Sequence, residues 1–185
     1  MKTDMTIGLK RGTVALVENN SALMQEAEKT ILLLHNLLGK AAVDIQHIGS
    51  TSIKGIYTKP IIDIVVGVNR FDDILQLNYS LEKNGIIFRG ADVQGQLLYV
   101  MGDFEKDTRT HHIHIVIYND ESWNNYINFR DYLNYNKDLA NEYSKLKYEL
   151  TLKYQNDRIG YTSGKREFID KALSAAKLWR KNQTI

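Results

Sequence analysis

The chain has 185 residues, one proline, no cysteine, and 24 Lys/Arg against 22 Asp/Glu for a net charge of +2. That length suits one sizeable core, and the lack of cysteine excludes a disulfide framework and a thiolate zinc site, in keeping with a reducing, cytoplasmic setting. No apolar run approaches the roughly 18 residues of a membrane span, and the N-terminal stretch with Lys2, Asp4, Lys10 and Arg11 lacks the apolar block of a signal peptide, so no membrane partner is expected.

Charge divides unevenly along the chain. Residues 1–122 carry 12 basic and 15 acidic side chains, residues 123–185 carry 12 and 7. An excess this modest, spread over the last third, reads as a solvated surface, and a nucleic-acid partner is not expected. A short strand is predicted over Thr13 to Val17, then a cap at Glu18 to Ser21 and a helix over Ala22 to Leu38, where Leu23, Ala27, Thr30, Ile31, Leu34 and Leu38 recur at helical spacing and Gly39 is the stop. Val43 to Ile48 reads as a strand entering a Gly49-Ser50 turn, with a helical turn within Thr51 to Thr58. Pro60 opens Ile61 to Val68, whose continuous hydrophobicity marks a strand covered on both faces.

A helix from Phe71 to Lys83 ends at Asn84-Gly85. Strands follow at Ile86 to Phe88 and Gln96 to Met101, and Gly102 to Thr110 reads as a polar, mobile loop. His111 to Tyr118 alternates strictly: Ile113, Ile115 and Ile117 on one face, His112, His114 and Val116 on the other. Beyond Glu121 the pattern is helical, with segments at Trp123 to Asn134, Lys137 to Tyr154 and Ser163 to Lys181, the last capped by Tyr161 to Ser163. The fold class expected is α+β: one domain over 1–185, with a mixed sheet and helices in 1–120 and a helical extension in 121–185.

Gly49 and Ser50 supply a bare backbone and a hydroxyl, a combination that lets a chain pass close to a phosphate. Asp63 stands alone in the apolar run Ile61 to Val66, where an unpaired charge is unfavourable unless a cation meets it. A strand, a Gly-Ser turn and a second strand bearing an acidic residue match the layout of nucleotidyltransferases, in which carboxylates hold Mg²⁺ against the phosphates. The usual second carboxylate is missing, since Val65 stands two residues after Asp63. His112 and His114 share a strand face, and with Asp63 they would give two nitrogens and one oxygen, a donor set for Zn²⁺, Mn²⁺ or Fe²⁺ more than for Mg²⁺. Lys59, Arg109, Arg130 and Lys165 are candidate phosphate partners, with His47 and Tyr161 as further site candidates. The tyrosines of the helical third are read as packing rather than as base-stacking platforms.

The blocks HIGSTS (His47 to Ser52), KPIIDIVVGV (Lys59 to Val68), RTHHIHIV (Arg109 to Val116), FRDYL (Phe129 to Leu133) and YTSGKREFI (Tyr161 to Ile169) together resemble the GrpB family, within the nucleotidyltransferase-like superfamily. The resemblance implies a nucleotidyltransferase-like mixed sheet with Gly49-Ser50 at the phosphate-binding turn, Asp63 on the acidic strand, and His112 and His114 where the superfamily often has a third carboxylate. A similar domain fused to a dephospho-coenzyme A kinase in some proteins associates it with nucleotide or coenzyme metabolism. Lys54 departs from the family, which commonly has proline there; the change would loosen the turn and add a cation near the ligand. The leading expectation is a metal-dependent nucleotidyltransferase acting on a small acceptor, with Asp63 catalytic, Gly49, Ser50, Lys59 and Arg109 on phosphate, and Asp63, His112 and His114 on Mg, Mn or Zn. Alternatives are a non-catalytic module that binds a nucleotide or phosphorylated metabolite, and, ranked lower, a metal-dependent phosphohydrolase.

Overall fold

The computed structural model describes residues 7–91 and 93–183. In chain order its elements are β1 (Leu9–Lys10), β2 (Val17–Glu18), α1 (Ser21–Leu38), β3 (Ala42–Ile48), β4 (Tyr57–Thr58), β5 (Ile62–Val68), α2 (Phe71–Leu75), α3 (Asn78–Lys83), β6 (Ile87–Phe88), β7 (Gln96–Met101), β8 (Thr108–Arg109), β9 (His111–Ile117), α4 (Glu121–Tyr135), α5 (Lys137–Lys153), α6 (Arg158–Gly164) and α7 (Arg166–Gln183). Five strands form the central sheet in the order β3-β5-β9-β7-β6. Only β5 and β9 run parallel; the other pairs are antiparallel, so the sheet is mixed.

The alternation of apolar residues decides which helices cover which face. Ile62, Ile64, Val66 and Val68 of β5 and Ile113 and Ile115 of β9 point to one side, where Leu23, Ala27, Leu34 and Leu38 of α1 and the buried Ile74 and Leu81 close the main core. The opposite face presents Val65 and Val116 to Ile48 and Trp123 of α4. Helices α4, α5 and α7 form a further apolar cluster through Leu133, Ala140, Tyr143 and Ala172, onto which Ile53 and Ile56 of the loop after β3 also pack. The interior position of β5, between β3 and β9, accounts for its unbroken hydrophobic run.

Four local expectations change. In the segment Thr13 to Glu18 before α1 only Val17–Glu18 form a strand, paired with Tyr57–Thr58. The predicted helix over 71–83 is two pieces: Leu77 N–H closes on Ile74 O at 2.9 Å, and Tyr99 Oη donates to Asn78 Oδ1 at 2.6 Å where α3 begins. The polar 102–110 segment contains β8, which pairs antiparallel with β1. Tyr161 to Ser163 lie inside α6, which is capped by Asp157 Oδ1 accepting from Gly160 N–H at 2.9 Å, and α7 starts after it at Arg166. Helix α1 is capped by Asn20, whose side chain accepts from Ala22 and Leu23 N–H.

Gly67 of β5 lies directly beneath α4. A Cβ there would meet the Tyr118 ring at 2.7 Å and Trp123 at 2.9 Å. Gly67→Ala is therefore expected to destabilise the fold by about 1–3 kcal/mol through overpacking, read as a lower urea midpoint with an unchanged slope and a shifted Trp123 fluorescence maximum.

Candidate functional site

Between β3 and β4 the chain turns through Gly49 and a 3₁₀ turn at Ser50–Ser52. Gly49 has φ +69°, and a Cβ there would strike the Asp63 carboxylate, lying 2.8 Å from its Cβ and 2.9 Å from its Cγ. Only glycine brings the backbone this close to Asp63 in this conformation. The rest of the turn is tied down from several sides. Ser52 Oγ donates to Gly49 O at 2.6 Å, Ser50 Oγ bonds Thr58 Oγ1, and His47 Nε2 bonds Thr51 Oγ1 at 2.8 Å. Asn19 Nδ2 donates to Thr51 O at 2.9 Å and Ile53 O at 2.6 Å, while Asn134 Nδ2 donates to Ser52 O at 3.0 Å. Arg130 donates to Gln46 Oε1 and His47 O, at 2.9 and 3.0 Å, and is paired with Asp131 at 2.8 Å.

The parallel register sets Asp63 opposite His112 and Val65 opposite His114. Asp63 Oδ1 lies 3.1 Å from His112 Nδ1 and 3.9 Å from His114 Nε2. Burial pushes the Asp63 carboxyl up, but hydrogen bonding and charge from His112 and His114 outweigh it and hold the group well below the usual carboxylate range. The donors are of a kind that suits Mn²⁺ or Zn²⁺, yet they are arranged as imidazoles turned on one carboxylate oxygen. Among the described residues no three His, Cys, Asp or Glu side chains stand in a metal-holding group. The neighbouring His111 faces the other side of the sheet, bonded to Thr30 Oγ1 at 3.0 Å.

A cavity of about 580 Å³ opens over this floor. Gly49, Ser50, Lys59, Asp63, Arg109, His112, His114, Tyr161 and Lys165 all line it. His47 and Arg130 do not; they brace the turn from behind, and burial lowers the His47 pKa to about 4, keeping the ring neutral. Lys54 is exposed and also outside the cavity. Two ammonium groups lie against the ring of buried Tyr161, Lys59 Nζ at 4.0 Å and Lys165 Nζ at 4.7 Å from its centroid. Among the described residues seven Lys or Arg side chains line the cavity against one carboxylate, Asp63.

The family model of the GrpB protein matches residues 13–175. The chain belongs to the GrpB family. It is 39% identical over 171 residues to the glutamate-rich protein GrpB of Alkalihalophilus pseudofirmus, covering 91% of this chain and 98% of that one. The crystal structure of conserved protein GrpB from Enterococcus faecalis superposes with a TM-score of 0.82 at 28% identity, over 89% of this chain and 99% of that one. The Cid1 poly(U) polymerase superposes with a TM-score of 0.50 at 14% identity, over 80% of this chain and 50% of the polymerase, a likeness of fold with a nucleotidyltransferase.

In this GrpB chain the cavity residue that sequence reasoning missed most clearly is Lys147. It sits on the buried face of α5 with Ala140, Tyr143 and Ser144, its Nζ bonded to Tyr57 O and 4.5 Å from the Tyr143 ring centroid. A lysine in phase with a buried helical stripe was the available signal. Burial, with Lys165 and Arg158 nearby, lowers the Lys59 pKa from 10.5 to about 7, and burial beside Lys165 and Lys59 does the same for Lys147. Burial also lowers Lys165.

Between pH 7 and 10.5 the unfolded chain therefore binds more protons at Lys59 and Lys147 than the folded one, so their unfavourable contribution is full below pH 7 and fades as pH rises. Lys147→Met is expected to raise the urea midpoint at pH 6, with the gain shrinking steadily toward pH 10; a gain independent of pH would contradict this electrostatic account. Gly49→Ala is expected to destabilise the protein by several kcal/mol, of the order of a strained left-handed residue plus a steric clash, measured by urea denaturation.

Proposed function

We propose that the cavity binds a nucleotide or another phosphorylated small molecule, with its phosphates between the Gly49-Ser50 turn and the Lys59, Lys147 and Lys165 ammonium groups. The observation that carries this reading is the imbalance of the lining, seven Lys or Arg to one carboxylate among the described residues, around a glycine turn. Three lysines crowd together without a carboxylate apiece, which a bound polyanion would remedy. These cations line a cavity rather than an exposed stripe, which favours a small ligand over a nucleic acid. The family's fold supports the same reading, since the Cid1 polymerase is described with MgGTP bound. A nucleotide ligand fits the cytoplasmic setting expected of a chain without cysteine.

Metal-dependent nucleotidyl transfer to a small acceptor is the second reading, favoured by Asp63, His112 and His114 meeting beside the turn. Here a divalent cation, Mg²⁺, Mn²⁺ or Zn²⁺, would have to displace the Asp63–His112 hydrogen bond, and Val65 offers no second carboxylate. Residues of the chain itself then bind and orient the phosphates, while Asp63 takes the role of the one acidic group at the reacting end.

Thermal melting with a panel of ribonucleoside triphosphates, diphosphates and inorganic tripolyphosphate tests both readings. A ligand at about a hundredfold excess over its Kd should raise Tm by roughly 5–10 °C, and Lys59→Ala should lower that affinity at least about tenfold. If no phosphorylated ligand shifts the melt, the binding reading is lost. A further rise on adding Mg²⁺, Mn²⁺ or Zn²⁺ that Asp63→Ala abolishes, together with pyrophosphate release, would support transfer; a metal response untouched by Asp63→Ala would retire it. At pH 8, binding should draw protons onto Lys59 and Lys147, seen as calorimetric heats that vary with buffer ionisation enthalpy.

A further inference from the structure

The cationic lining comes from β1, the strand ends and helices α5 and α6; helix α4 contributes none of it. The residues that α4 turns to the cavity are Ser122, Asn125, Tyr126 and Phe129, an uncharged stripe at helical spacing. Across from it, buried Gln96 of β7 accepts from Tyr126 Oη at 2.9 Å, and both lie 3.4 Å from His114 Nδ1. Tyr126 packs on the His114 ring with centroids 5.2 Å apart. One atom in this stripe is unsatisfied: among the described residues Asn125 Oδ1 is buried and has no hydrogen-bond partner. The two other such atoms, Asn19 Oδ1 and Trp179 Nε1, belong to residues that do not line the cavity. Asn125 borders both this cavity and the hollow beside Asn128 and Lys177, and its buried carbonyl oxygen is an acceptor without a donor.

We infer that the α4 end of the cavity seats the uncharged ring of the ligand, a nucleobase-like heterocycle that lies against Tyr126 and Phe129 and donates an N–H to Asn125 Oδ1. This rests on the phosphate-binding reading and adds to it a second, neutral subsite. Cations at one end and neutral donors, acceptors and aromatic faces at the other give the cavity the polarity of a nucleotide laid lengthwise. Asn125 is then a specificity-determining residue rather than part of the phosphate site.

Titration calorimetry on the full chain separates the two subsites, with inorganic tripolyphosphate as the ring-free probe and the four ribonucleoside triphosphates as ring-bearing ones. At least one nucleotide should bind about tenfold or more tighter than tripolyphosphate. Asn125→Leu should weaken that nucleotide about 5- to 30-fold, as for one lost buried hydrogen bond, and leave tripolyphosphate within about twofold. Phe129→Leu, read the same way, serves if Asn125→Leu does not fold. Equal losses for both probes, or no loss for either, would overturn the inference. Wild-type protein that binds tripolyphosphate as tightly as every nucleotide would overturn it while the phosphate site stands; a wild type that binds neither probe would remove both.

Discussion

The close approach of Gly49 to Asp63 is the constraint on which the site depends. Its backbone passes so near the carboxylate that no side chain fits between them, and its φ of +69° is one that L side chains rarely adopt. That contact locks the turn after β3 to the strand β5. The same β5 pairs in parallel with β9, so fixing the turn against Asp63 also fixes it against His112 and His114. Asn19, Asn134 and Arg130 then hold the turn from outside the cavity. Arg130 is itself held by Asp131, which pairs with Arg180 of α7, so the C-terminal helix is linked to the turn through one chain of charges. Pairs of this kind, partly shielded and shared among three groups, position side chains better than isolated surface pairs do.

Val65 shows why no second carboxylate stands beside Asp63 on β5. It is fully buried and packs with Ile48, Val116 and Trp123 beneath α4. An aspartate there would be a charge under a tryptophan ring, without water and without the open face a hard cation needs. The departure is thus built into the packing of α4 on the sheet, and Gly67, two residues on, lets the same helix lie close. The polar groups that meet here are one carboxylate from β5 and two imidazoles from β9.

Much of this was legible in the sequence because it depends on local pattern. The strict alternation in His111 to Ile117 predicted which histidines share a face, and continuous hydrophobicity predicted an interior β5. What period two does not contain is register, which alone brings Asp63 opposite His112; that comes from pairing across 49 residues. Arg130 is by residue type a candidate phosphate partner and His47 a further site candidate, but the direction of a side chain depends on the whole fold, and both hydrogen-bond to the turn from outside the cavity. Lys147 was passed over for the opposite reason: lysines on helices are mostly solvated, and its burial follows from Tyr57 O and the Tyr143 ring arriving from distant parts of the chain. The break at Leu77 and the pairing of β8 with β1 were hidden for the same cause, since each is decided by a tertiary partner rather than by propensity.

Several unfavourable features of the molecule meet in one cavity. Most ion pairs away from the cavity join exposed side chains, where each contributes little. Lys59, Lys147 and Lys165 instead crowd around two buried tyrosines, with burial lowering all three. Asn125 leaves a carbonyl oxygen unpaired at the other end of the same cavity. Packing alone would favour methionine or leucine at such positions, because an apolar side chain of similar volume carries no desolvation penalty. Groups that destabilise the fold and share one cavity would have a common remedy in the proposed ligand, with negative charge at one end and a hydrogen-bond donor at the other. Under that proposal binding energy and relief of this local frustration would come from the same contacts, linking ligand affinity to the stability of the fold.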